Sequence, residues 1–189
     1  NTEGDYTIPA TGGFWLGNQN ATVTGMNGTV TNLGELKITN GMYNVGISDG
    51  KSTGILNSGQ FKMSGGTLNI AGRLNTDTGE CIISGGEINM NTEGYAAENE
   101  ATFSVLPLAK LEIYGDPLIT IESPNSIEDI QILQGPGAKS ITGGTFVLGA
   151  ATTPAASTFY VNSEIYFYKI IAFDECAIRI VDTSKDPAK

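Results

Sequence analysis

Four segments of the chain superimpose without gaps: ELKITNGMYNV (35–45), QFKMSGGTLNI (60–70), ECIISGGEINM (80–90) and AKSITGGTFVL (138–148). A looser copy, KLEIYGDPLITI (110–121), lies between the third and fourth, and an earlier one, ATVTGMNGTVTNL (21–33), precedes the first. Internal repetition constrains a fold more tightly than local propensity, because each copy must present the same faces to its neighbours. Every copy reads as an alternating strand, a turn of small polar residues and glycine, and a second alternating strand. The turn glycines Gly41, Gly66, Gly86, Gly115 and Gly144 follow one another at intervals of 25, 20, 29 and 29 residues.

Those lengths suit one coil of a parallel β-solenoid. The expectation is an all-β chain: a right-handed parallel β-helix of about six to seven coils, forming a single domain over residues 1–189. Regular coils cover about 20–148, and an aromatic-rich stretch at 158–182 forms terminal coils or a cap. The runner-up is an antiparallel β-sandwich, since NG and GG also fit two-residue hairpin turns. The unequal stretches between copies favour the solenoid, in which one corner is tight and the loops at the others vary. Two such loops are expected, at 91–102 (NTEGYAAENEAT) and 149–158 (GAATTPAAST).

The aligned columns are physically consistent. Leu36, Phe61 and Cys81 align, as do Ile38, Met63, Ile83 and Ile141. Beyond the turn come Tyr43, Leu68, Ile88 and Phe146, then Val45, Ile70, Met90 and Leu148. With a side-chain period of two, all of these face one way, and no coil could bury its apolar set alone. Thr39, Ser64, Ser84 and Thr142 precede the turn pair, where Gly41, Gly66, Gly86 and Gly144 can take positive φ. Asn44, Asn69 and Asn89 form an outward column whose amides can hydrogen-bond from coil to coil.

Charge narrows the partners. The formal net charge is −10 and the only arginines are Arg73 and Arg179. Nucleic acid binding depends on Lys and Arg at phosphates, so DNA and RNA are excluded as partners. An anionic membrane surface is disfavoured on the same ground. No run approaches the roughly 20 apolar residues that span a bilayer, so membrane insertion is not expected. The chain starts at Asn1 without a Met or a signal-peptide apolar region, as a mature or excised piece of a longer protein would. Cys81 and Cys176 sit in apolar strand-like runs and read as two separate buried thiols, with a single disulfide as the alternative.

Catalytic chemistry is hard to place. Histidine is absent, so zinc lacks ligands and any general base must be another residue type. Asp77 with Glu80, and Glu98 with Glu100, are the carboxylate pairs on offer, without the clustering of Asp on consecutive strands that polygalacturonase-like enzymes display. Arg73 and Arg179 read as solvated surface charges. Lys37 and Lys62 share an outward column that continues with Ile82 and Glu112, so no basic stripe forms for an anionic polysaccharide. No catalytic residue, cofactor-binding residue or metal ligand is assigned. Calcium is the one cofactor the acidic loops admit, though neither a DxDxDG loop nor a GGxGxD repeat is present. A row of exposed aromatics would mark glycan binding, with Trp15, Tyr95 and Tyr114 as candidates; Trp15 is also expected to cap the N-terminal coil. Ice binding needs a flat ladder of outward threonines, whereas here the hydroxyl column lies at a turn and fails at Tyr114.

The GELKITNG, GQFKMSGGTLNIAG and GECIISGGEINM copies resemble the repeats of Bacteroidetes surface β-helix proteins, often exported through the type IX pathway. More distantly they resemble passenger domains of adhesins and autotransporters. The stretch ITGGTFVLGAATTPAASTFYVNSEIYFYKI is similar to recurrent segments of the same surface proteins, and the likeness covers roughly residues 20–182. It implies an extracellular or bacterial cell-surface location. It also implies a non-enzymatic structural or adhesion role toward an extracellular protein or glycan. A glycan-binding or polysaccharide-cleaving protein of the pectin-lyase-like class is the alternative, and an uncapped end would favour end-to-end self-association.

Overall fold

The computed structural model describes residues 4–25, 28–46, 53–93, 100–125 and 127–181. Among them there is no helix; nineteen strands form two sheets of eight and eleven strands. The chain advances in layers. The first holds β1 (Tyr6–Ile8), β2 (Gly13–Leu16) and β3 (Thr22–Gly25), and the second β4 (Val30–Asn32), β5 (Glu35–Ile38) and β6 (Met42–Val45). The third holds β7 (Ile55–Asn57) and β8 (Gln60–Ile70), the fourth β9 (Leu74–Thr76) and β10 (Glu80–Met90). The fifth is β11 (Phe103–Val105), β12 (Lys110–Ile113) and β13 (Leu118–Ile121); the sixth is β14 (Ile130–Ile132), β15 (Lys139–Ile141) and β16 (Thr145–Leu148). The chain closes with β17 (Thr158–Ser163), β18 (Ile170–Ala172) and β19 (Ala177–Ile180).

Each strand pairs with its equivalents in the layers before and after. The short first strands build the eight-stranded sheet, in the order β1-β4-β7-β9-β11-β14-β17-β19, and the remainder build the other. Every pairing among the described residues is parallel. The arrangement is consistent with a parallel β-solenoid. It overturns the antiparallel β-sandwich: the Asn-Gly and Gly-Gly corners do not fold a copy back on itself but turn it toward a second row of the same sheet.

Register follows the repeat. Glu35 pairs with Gln60, Gln60 with Glu80 and Glu80 with Lys110, while Tyr43, Leu68, Ile88, Ile119 and Phe146 form one continuous column. The loose copy carries one extra residue at its corner: Ile113 pairs with Ile83, but Ile119 pairs with Ile88. Gly115, Asp116 and Pro117 absorb it without moving either strand row. The earliest segment differs from its sequence reading. Residues 22–25 pair with Met42–Val45, after the corner, whereas Val30–Asn32 belong to the eight-stranded sheet. The true first copy is GFWL with TVTG, joined by a longer corner. The ladders thus run from Tyr6 to Ile180, beyond the span in which the repeat is legible.

The core lies between the sheets and consists of stacked inward columns: Leu36, Phe61, Cys81 and Leu111 on one, Ile38, Met63, Ile83 and Ile113 on the next, all essentially without exposure. Each such side chain contributes about 1.5–3 kcal/mol through removal from water. Larger rings fill the later layers, Phe103 meeting Phe146 edge-on at 5.7 Å between centroids and Phe146 meeting Phe167 at 5.0 Å. One position breaks the rule. Lys139 pairs with Leu111 in an inward column, and its Nζ donates to the carbonyls of Pro107 (3.2 Å), Ala109 (2.8 Å) and Gly137 (3.0 Å). Among the described residues no strand of the next layer pairs with β15, so this cation ends the row where an apolar residue would lie uncovered.

The tight corner needs glycine. Gly66 has φ +78°, and a Cβ there would come within 2.6 Å of the Gly41 carbonyl of the layer below. Gly66→Ala is therefore expected to lower stability by more than about 2 kcal/mol, combining a left-handed backbone with a clash against main chain. Gly13→Ala, whose Cβ would meet nothing nearer than 3.4 Å, should change it by well under half that amount. Urea unfolding of the two variants measures the difference.

Candidate functional site

Two hydrogen-bonded side-chain ladders climb the layers. On the outer face, Asn44 Nδ2 donates to Thr24 Oγ1 (3.4 Å), Asn69 Nδ2 to Asn44 Oδ1 (2.8 Å) and Asn89 Nδ2 to Asn69 Oδ1 (2.9 Å). Gly41, Gly66, Gly86 and Gly144 occupy the adjoining corners with φ between 78° and 88°. A second ladder, unread in the sequence, is fully buried: Asn32 Nδ2 donates to Asn57 Oδ1 (2.7 Å), and Asn57 Nδ2 to Thr76 Oγ1 (3.3 Å). The same two amides reach across the corner, Asn32 to the Gln60 carbonyl (3.0 Å) and Asn57 to that of Glu80 (2.9 Å). They give a main-chain oxygen a side-chain donor where the chain leaves one sheet for the other.

A groove of about 490 Å³ lies on the outer face of the eight-stranded sheet. Its floor is the outward column Thr31, Leu56, Asn75, Ser104 and Gln131, one residue from each of five successive layers. Residues ahead of the strands, among them Glu100, Ile127 and Glu128, form one wall; Ser58, Asp77 and Leu106, just past the strands, form the other. Glu100 is ion-paired with Arg73 and accepts from Asn75 Nδ2 (3.1 Å). Glu128 is buried and accepts from Gln131 Nε2 (2.8 Å) and Asn162 Nδ2 (3.0 Å). Asp77 Oδ1 accepts from the Ser58 hydroxyl (2.9 Å) and the Thr78 amide (2.7 Å).

Behind the Glu128 wall lies Asp129, with no exposure. Its Oδ1 accepts from the Asn125 amide and its Oδ2 from the Tyr160 amide, each at 2.7 Å, tying the loop before β14 to β17. Burial pushes its carboxyl up to about 7, against the pull of the two amides.

Of the sequence candidates, Asp77 and Glu100 line the groove and Glu80 does not. Glu98 and Tyr95 lie outside the described residues. Arg73 is not a free surface charge, being paired with Glu100; Arg179 stands 5.8 Å from the Tyr160 ring. Trp15 does not cap the first layer. It is 70% exposed on the outward column that continues with Lys37, Lys62, Ile82 and Glu112, while Phe14 fills the interior against Tyr43 at 5.2 Å. Lys37 Nζ lies 5.3 Å from the Trp15 ring and Lys62 pairs with Glu35 at 2.9 Å. Tyr114 borders a shallower hollow of about 180 Å³ on that face, apart from the groove. Both cysteines are free thiols, Cys81 buried in the layer above Phe61 with its thiol pushed up to about 12 by that burial, and Cys176 half-buried. Among the described residues, no three Cys, Asp or Glu side chains gather as a metal site.

No protein-family model, curated protein or solved structure matches this chain.

Two outcomes follow for the buried polar groups. Asn57→Ala should cost about 1–3 kcal/mol, since it strips the Glu80 carbonyl and Asn32 of a partner away from water; Asn69→Ala on the half-buried outer ladder should cost under about 1 kcal/mol. Denaturant titrations rank them. For Asp129, the folded chain retains a proton that the unfolded chain, with its value of 3.8, has released. Its contribution is therefore full below pH 3.8 and is lost as pH rises through about 7. The melting temperature of the wild type should fall across that window more steeply than that of Asp129→Asn.

Proposed function

We propose that this chain is a non-enzymatic structural and adhesive module of a bacterial cell surface, built as a right-handed parallel β-helix of the Bacteroidetes surface β-helix kind. The handedness is supported by the general rule that connections between parallel strands of one sheet are right-handed in about 98% of cases. The observation that carries the functional reading is where the reactive side chains are engaged. Glu100 is held by Arg73, Glu128 by two amides and Lys62 by Glu35, and three carbonyls hold Lys139. These groups fasten layer to layer, which suits a scaffold.

End-to-end self-association belongs to the same proposal. Ile180, paired with the fully buried Val161, stands on an inward column yet is 71% exposed, and Tyr166 and Tyr168 beside the last layers are exposed as well. The alternative, glycan binding with polysaccharide cleavage of the pectin-lyase-like kind, draws on the groove and its carboxylates Asp77, Glu100 and Glu128.

Beads coated with the chain, passed under flow over neutral polysaccharides, acidic polysaccharides and extracellular-matrix proteins, separate the readings. Retention on at least one surface without release of reducing ends or unsaturated products is expected. Release of product from any polysaccharide, or no retention on any surface, contradicts the adhesive reading.

A further inference from the structure

The groove on the eight-stranded sheet has a chemistry that selects its occupant. It runs along the stack across five layers, from Thr31 in the second to Gln131 in the sixth. Successive layers in such a sheet advance by about 4.8 Å, close to the advance of one pyranose in an extended glycan. Its volume of about 490 Å³ falls within the range of small-ligand sites. Leu56 on the floor and Ile127 on the wall, the latter 41% exposed, give apolar surface suited to the C–H face of a sugar ring. Beside them lie hydroxyls of Thr31 and Ser58 and the carboxylate of Asp77, whose Oδ1 already accepts three hydrogen bonds while Oδ2 accepts none among the described residues.

The charges decide between ligand classes. Among the described residues no lysine lines the groove, and Arg73 at its edge is committed to Glu100, so none of them is free to receive an anion. Two of the three carboxylates are satisfied within the chain, Glu100 by Arg73 and Glu128 by the Gln131 and Asn162 amides. Among the described residues that leaves Asp77 Oδ2 and Glu100 Oε1 as the carboxylate oxygens open to an incoming donor; with the Glu100 charge balanced by Arg73 and Glu128 buried, the exposed charge is small for a cationic segment. Hydroxyl donors are the groups an acceptor-rich, nearly neutralised groove satisfies best.

We propose that this groove binds a neutral oligosaccharide of about three to five sugar units, laid along the stack, with ring faces on Leu56 and Ile127 and a hydroxyl pair donated to Asp77. The proposal rests on the adhesive reading and names the contact through which it acts. Leu56→Lys places a long cationic side chain over the floor, and Ile127→Lys does the same from the wall, where exposure makes misfolding a lesser risk; Trp15→Ala, on the other sheet, is the control.

Isothermal titration of the whole chain with cellotetraose, xylotetraose, mannotetraose, tetragalacturonate and tetralysine supplies the test. At least one neutral tetrasaccharide should bind the wild type, with affinity lowered about tenfold or more by Leu56→Lys or Ile127→Lys and changed less than about twofold by Trp15→Ala. Melting temperatures verify that each variant is folded. Binding by none of the neutral sugars, preferential binding of tetragalacturonate or tetralysine, or affinity that falls in Trp15→Ala but not in the folded groove variants, would overturn the proposal. Bead retention that persists in both groove variants would remove the groove from adhesion while leaving the adhesive reading intact.

Discussion

A main-chain amide that donates to the layer beneath it cannot slip by one residue without turning its side chain from the interior to the solvent. In a parallel stack that condition applies to every layer at once, and it is the constraint on which the remaining features depend. Gln60 pairs with Glu35 below and Glu80 above, so Phe61 must rest on Leu36 and beneath Cys81. Like columns of apolar residues are the consequence. The constraint also determines where the chain can vary. An extra residue is accommodated at the Gly115–Pro117 corner, and longer additions fall between the second strand row and the eight-stranded sheet, as at 149–157, while the strand rows keep their register.

Corners are where this scheme needs most help, because the regular strand ladder is interrupted there and each main-chain group must find its partner individually. The buried polar residues are concentrated at those places. Asn32 and Asn57 each donate to a carbonyl at the start of the next strand, and Asp129 accepts two amides from two different layers. Lys139 gathers three carbonyls at the end of a row. None of these groups is free for chemistry, yet together they set the walls between which the groove runs. The site is a by-product of how the corners are closed: the outward column of the eight-stranded sheet is left low between residues that precede and follow each short strand.

The eleven-stranded sheet was legible because, β15 and β18 apart, its strands are four residues or longer, and the clear copies repeat two apolar positions on each side of a glycine corner. The columns beginning at Ile38, Tyr43 and Val45, the turn glycines and the Asn44–Asn69–Asn89 ladder all lie in it. The eight-stranded sheet escaped notice for a physical reason. Its first six strands are three residues long, and in VTN, ILN and LNT the second inward position is polar, so alternation there reduces to one apolar residue. For three copies the signal was present in a different form: an apolar residue, any residue, then Asn or Thr, a few residues ahead of the copies at 35–45, 60–70 and 80–90. Without that sheet the groove could not be found, since its floor joins residues from five layers. Trp15 was misread because its strand precedes the first recognisable copy, and Lys139 went unnoticed because a lysine in an inward column looks like a surface residue.

The parallel register itself can be measured in solution. In a nuclear Overhauser spectrum of the isotope-labelled chain, the in-register stack predicts main-chain contacts at the layer spacing, joining Leu36 with Phe61, Phe61 with Cys81 and Leu68 with Ile88. It predicts no Hα–Hα contacts between the two strands of a single copy, such as Ile38 with Tyr43. Strong Hα–Hα contacts across the Asn-Gly and Gly-Gly corners, with the layer-spaced contacts missing, would mean antiparallel hairpins and would contradict the fold and the groove built on it.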